Sequence, residues 1–118
     1  KICFLGVTFK ANTDDMRDSS CLSMIPSLVK KGAKINYFDP TGEKNEFKKI
    51  NNVIFSNDIK SAISNSDLII IHTEWNDFKS IKFNRDVKNK SYRIFDMRNI
   101  YSSKKMKEQK IKYFAIGS

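Results

Sequence analysis

Two basic side chains and the acids around them are the first groups in this sequence that could do chemistry. Lys10 and Arg17 fall in the run Thr8-Phe9-Lys10-Ala11-Asn12-Thr13-Asp14-Asp15-Met16-Arg17-Asp18. A lysine ammonium is a compact charge suited to a phosphate or sugar oxygen, and an arginine guanidinium is a planar fork that can grip two oxygens at once. The interspersed carboxylates can hold both in place. Asp96-Met97-Arg98-Asn99 repeats the pattern near the other end of the chain. Lys10 and Arg98 arriving from separate segments point to an anionic small ligand; on composition alone, a solvated loop with incidental ion pairs is an equal alternative.

Other reactive side chains are less specific. His72, the single histidine, ends an apolar run beside Thr73-Glu74-Trp75 and reads as a packed, hydrogen-bonded histidine rather than a catalytic one. Trp75 could stack on a base, but a tryptophan at a strand end more often closes a core. Asp39-Pro40 stands where a dinucleotide-binding sheet carries its ribose-binding acid, and it is also a common turn starter; it is assigned no catalytic role. Cys3 and Cys21 are the only cysteines, with neither disulfide nor metal-ligand spacing, and read as free thiols in or near the core. No metal site and no catalytic triad emerges from the spacing.

The segments that must position these groups alternate between β-rich and amphipathic. Residues 2–7, 34–38, 53–55, 67–72, 93–96 and 112–116 are strand candidates. The best of them, such as Leu68-Ile69-Ile70-Ile71, are nearly continuous apolar runs, the pattern of parallel strands covered on both faces. Residues 19–31 carry Leu22, Ile25, Leu28 and Val29 at helical spacing, start at Asp18-Ser19 and stop at Gly32. Pro26 predicts a kink there rather than a break. Residues 58–64 supply a short helix, and 76–87 and 102–109 two more covering segments. The pattern predicts one α/β domain over residues 1–118: a Rossmann-like, doubly wound, mainly parallel sheet of about six strands with helices on both faces. Ligands then belong at the carboxyl ends, in the loops after Val7, Phe38, His72 and Asp96. The first of these loops lacks the glycine-rich turn of a dinucleotide site, since Gly6 is its only glycine.

Composition narrows the class. With 40% hydrophobic and 30% charged residues, the 118-residue chain is an ordinary globular domain. No apolar run approaches a bilayer span and no leader is visible, so a cytoplasmic location without membrane attachment is expected. A first residue of Lys1 followed at once by a strand suggests a piece of a longer polypeptide. The net charge of +9 fits an anionic partner. A basic nucleic-acid-binding module is the distant alternative, but the lysines are scattered and no RNA- or DNA-reading motif is present.

The residue blocks themselves resemble a known family. Gly6-Val7-Thr8-Phe9-Lys10-Ala11-Asn12-Thr13-Asp14-Asp15-Met16-Arg17-Asp18, Asp39-Pro40, Thr73-Glu74-Trp75-Asn76-Asp77-Phe78, Asp96-Met97-Arg98-Asn99-Ile100-Tyr101 and Tyr113-Phe114-Ala115-Ile116-Gly117 stand in the order of the C-terminal domain of the UDP-glucose/GDP-mannose dehydrogenase family. The family motif often has proline where Ser20 stands, and glycine or leucine where Met97 stands. The resemblance implies an NAD-dependent, two-step oxidation of a nucleotide-sugar alcohol to the uronic acid, through a cysteine in another part of the enzyme. UDP-glucose going to UDP-glucuronate is the implied reaction, with GDP-mannose or a UDP-N-acetylhexosamine as the alternative substrate. By motif position, Phe9, Lys10 and Arg98 are implied to contact the UDP-sugar and Arg17 the NAD held by an N-terminal domain. No catalytic residue is implied in this chain, and the whole enzyme is implied to be a homodimer.

Overall fold

The computed structural model describes residues 1–116, so Gly117 of the last block lies outside them. The strands are β1 (Ile2–Leu5), β2 (Ile35–Phe38), β3 (Val53–Phe55), β4 (Leu68–Ile71), β5 (Arg93–Asp96) and β6 (Lys112–Ala115). They form one sheet in the order β3-β2-β1-β4-β5-β6, with every neighbouring pair parallel. Parallel pairing needs a crossover between strands, and the crossovers carry the helices to both faces.

One face carries Phe4, Ile35, Tyr37 and Ile70 against Cys21 and Ile25 of α1 (Cys21–Lys30) and Phe47 of a 3-10 turn (Asn45–Phe47). On the opposite face, Cys3, Leu5, Ile69, Ile71 and Ile94 pack against Ala62 and Ile63 of α2 (Ile59–Ile63), Phe83 of α3 (Phe83–Asp86) and Met106 of α4 (Ser103–Glu108). Both sides of β1 and β4 are therefore buried, which is why these strands read as unbroken apolar runs rather than alternating ones. The expected doubly wound α/β fold is present.

Local chemistry sets the ends. The C-terminus of α1 is a Schellman motif: Gly32 adopts φ +99°, its N–H bonds to the Val29 carbonyl, and the Ala33 N–H bonds to the Leu28 carbonyl. The helix runs through Pro26 without a break. At its start the N-cap is Ser20, whose side chain caps nothing; Ser19 instead accepts the Cys21 N–H at 3.2 Å. The covering segment 76–87 is a 3-10 turn (Asn76–Phe78) followed by α3, rather than one continuous helix. Phe78 and Phe83 both face the core, and five residues of separation would put them far apart around a single helix. The break brings both inward.

Because Ile25 is fully buried in α1 while Leu22 on the same helix is 39% exposed, their truncations should differ. Ile25→Ala should lower unfolding free energy in urea by about 3 kcal/mol, and Leu22→Ala by less than about 1 kcal/mol. Equal losses would show that α1 docks through a different face.

Candidate functional site

Sheet order β2-β1-β4 makes the carboxyl ends of β1 and β4 the switch point, where connections leave for opposite faces and a crevice opens. The backbone there is crowded. Gly6 has φ +79°, and a Cβ on it would lie 1.6 Å from Thr73 Oγ1, so only glycine lets the loop after β1 pass the end of β4. Residues 7–19 then form a loop fixed at its root. The Val7 N–H donates to Asp39 Oδ2 at 2.9 Å and its carbonyl accepts from Ser19 Oγ at 2.6 Å. Inside the loop, Thr8 Oγ1 donates to the Lys10 carbonyl at 2.9 Å and the Phe9 N–H to the Asp15 carbonyl at 2.9 Å.

The outer support comes from β5. Asp96, fully buried, accepts the Arg98 N–H on Oδ1 at 2.9 Å. Its Oδ2 takes the N–H groups of Ile100 at 2.8 Å and Tyr101 at 3.2 Å, together with the Tyr113 hydroxyl at 2.6 Å. Burial and this contact with Asp96 hold the Tyr113 hydroxyl firmly protonated. The turn so fixed aims Arg98 back across the sheet. Arg98 Nε donates to the His72 carbonyl at 2.9 Å and Nη2 to the Phe9 carbonyl at 3.2 Å. One guanidinium thus joins the loops after β1, β4 and β5. Two of its five N–H donors are engaged, and the other three have no partner among the described residues.

Phe9, Lys10 and Arg98, the three residues implied to contact the nucleotide sugar, share this edge, because Arg98 holds the carbonyl of the residue preceding Lys10. Phe9 is 44% exposed. Lys10 is exposed and its ammonium makes no hydrogen bond or ion pair among the described residues. Among the described residues the Arg17 side chain is joined to Asp15, with Nε–Oδ1 at 3.1 Å and Nη2–Oδ2 at 3.0 Å, and it is 89% exposed. The guanidinium pulls the Asp15 carboxyl below its usual range. A pair this exposed holds little energy and can exchange partners. Gly6 is the one glycine in the loop after β1, and Ser20 Oγ at the start of α1 is turned to His72 Nε2 at 2.8 Å. The residues present do not fit a pyrophosphate on α1.

Cys3 and Cys21 are both fully buried, and burial pushes each thiol's pKa up, which suppresses the thiolate that a nucleophile needs. Trp75 closes the core beside Phe78. Asp39, just after β2, and Asp96, at the end of β5, are visible in their motifs, but the bonds they make are not.

An edge with the exposed Lys10 ammonium, the outward donors of Arg98 and an exposed aromatic ring suits an anionic ligand. Residues 3–103 match the UDP-glucose/GDP-mannose dehydrogenase family, UDP binding domain. The chain belongs to this family, as its UDP-binding domain. A UDP-glucose 6-dehydrogenase from Rhizobium meliloti is 37% identical over 118 residues, covering 99% of this chain and 27% of that protein. Another from Rickettsia prowazekii is 36% identical over 121 residues, with 99% and 28% covered. The solved UDP-D-ManNAc dehydrogenase of Pyrococcus horikoshii shares the fold, with a TM-score of 0.73 at 22% identity over 98% of this chain and 25% of that one. This UDP-binding domain therefore spans little more than a quarter of the length of the curated relatives it matches. No helix among the described residues is long and apolar enough to cross a membrane, and no group of three or more His, Cys, Asp or Glu among them could hold a metal ion.

His72, 2% exposed, gives the UDP-binding domain a defined response to acid. Burial, and then the nearby Arg98 charge, lower its pKa from 6.5 to about 4, so it is neutral at pH 7. The unfolded chain binds the proton first as pH falls, so stability is intact above about 6.5 and is lost between there and about 4. Unfolding free energy should drop by about 2 kcal/mol between pH 7.5 and pH 5, and His72→Gln should remove most of that drop. A wild-type protein equally stable at both values would show that the imidazole is not held as described.

Proposed function

We propose that this UDP-binding domain holds the nucleotide sugar of an NAD-dependent UDP-glucose 6-dehydrogenase, which oxidises UDP-glucose to UDP-glucuronate with two NAD and one water. The observation that carries the reading is the stitch from Arg98 to the Phe9 carbonyl, which gathers Phe9, Lys10 and Arg98 at the switch point. Lys10 and the free donors of Arg98 offset the diphosphate's charge, and the exposed Phe9 ring offers the sugar nucleotide an apolar face. Neither cationic group needs to move to do this, so the sugar is presented in one fixed orientation to a cysteine outside this chain. Bound NAD supplies the hydride acceptor. Arg17, on the rim of the loop, would trade Asp15 for the anionic cofactor held by an N-terminal domain of the same polypeptide. We take the whole enzyme to be a cytoplasmic homodimer.

Relatives at 36% and 37% identity are named for UDP-glucose, which favours that substrate over GDP-mannose or a UDP-N-acetylhexosamine. Turnover by the natural-length protein with NAD on UDP-glucose, GDP-mannose and UDP-N-acetylmannosamine tests the choice. The kcat/KM for UDP-glucose should exceed the others by about a hundredfold or more. The 118-residue chain alone should reduce no NAD. Reduction of NAD by the chain alone, or a preference for either rival sugar, would contradict the proposal.

A further inference from the structure

Asp39 directly follows β2, where a dinucleotide-binding sheet places the acid that binds a ribose hydroxyl. Here the carboxylate is 1% exposed and both oxygens face the protein's own donors. Oδ2 accepts the Val7 N–H at 2.9 Å, while Oδ1 accepts the Thr41 N–H at 2.9 Å and the Thr41 hydroxyl at 2.6 Å. Behind it stands Lys44, 6% exposed, whose Nζ donates to Thr41 Oγ1. The Lys44 N–H is fixed in turn by the Tyr37 hydroxyl at 2.8 Å. The threonine hydroxyl thus donates to a buried carboxylate and accepts from a buried ammonium, so that one hydroxyl links two oppositely charged groups.

Val7, the residue Asp39 grips, is the root of the loop that carries Phe9 and Lys10. Thr8, fully buried, follows it and holds the Lys10 carbonyl. Displacing Val7 therefore displaces Lys10 relative to Arg98, which is anchored from the far side of the switch point.

We infer that Asp39, backed by Thr41 and Lys44, is a positioning residue that locks the root of the ligand loop, and that it does not bind the ribose of the nucleotide. The role assigned to the loop rests on the proposed function; the lock itself rests on the hydrogen bonds alone. Two measurements on the natural-length protein test it. In hydrogen exchange, Asp39→Asn should speed exchange of the segment 6–19 by about tenfold or more and leave the β4 segment unchanged. In kinetics, Asp39→Asn and Thr41→Val should both raise KM for UDP-glucose by about tenfold with kcat within about twofold, and Thr41→Ser should restore it. The preference of UDP-glucose over its 2′-deoxyribose analogue should be the same in wild type and Asp39→Asn.

A ribose-binding Asp39 gives the reverse pattern: the preference for the ribose hydroxyl disappears in Asp39→Asn, and Thr41→Val leaves KM alone. Unchanged exchange at 6–19 in Asp39→Asn also overturns the inference. If the protein oxidises no nucleotide sugar at all, the proposed function fails, while the exchange measurement still decides whether Asp39 is a lock. Thr41 is exposed, so its variants keep the kinetic comparison available should Asp39→Asn not fold.

Discussion

The carboxyl edge of this domain depends on one guanidinium shared between two backbone carbonyls. Arg98 ties the His72 carbonyl at the end of β4 to the Phe9 carbonyl in the loop after β1, from a turn that β5 supplies. A lysine would hold them differently, because an ammonium is a single point charge on a flexible stem, whereas Nε and Nη2 fix the two carbonyls relative to one rigid plane. Hydrogen bonds from a charged donor are among the stronger ones, and here they act where backbone would otherwise be held only by its own turns. The same side chain keeps three donors facing outward, so the group that shapes the edge also remains able to meet an anion.

Buried carboxylates carry this constraint into the sheet. Asp96 collects three backbone N–H groups and the Tyr113 hydroxyl, and so fixes the turn from which Arg98 reaches out. Asp39 does the corresponding work on the other side of β1, through Val7. Each is an acceptor-only group surrounded by donors, which is the condition under which a buried charge is tolerated. The two aspartates and the arginine convert an irregular loop of thirteen residues, 7–19, into a fixed platform on strands that the core makes rigid. Binding to a platform already in place loses little to ordering, which suits the substrate-orienting role proposed for this domain.

The strands were legible in the amino-acid sequence because parallel strands buried on both faces leave an apolar run, as in Leu68-Ile69-Ile70-Ile71, that few other structures produce. Their ends were less legible. Candidate spans 2–7 and 67–72 overran β1 and β4, since β1 gives way to Gly6 at positive φ and β4 ends at Ile71 without any change in hydrophobicity to mark it. The gathering of Lys10 and Arg98 was legible for a simple reason: each follows a strand, and all six strands point the same way. What could not be read was the set of bonds that makes the edge rigid. Val7 to Asp39 spans 32 residues, Arg98 to His72 spans 26, and Arg98 to Phe9 spans 89. Their existence depends on strand order and register, and no local pattern encodes either.

Arg98 is the brace of the edge and, in the proposed function, a group that meets the ligand, and calorimetric titration of UDP-glucose into the natural-length protein tests both roles together. Affinity should fall by about a hundredfold in Arg98→Ala, with Arg98→Lys recovering only a minor part of the loss. Affinity unchanged to within about twofold in Arg98→Ala would remove the guanidinium from the site and contradict the architecture described for this edge.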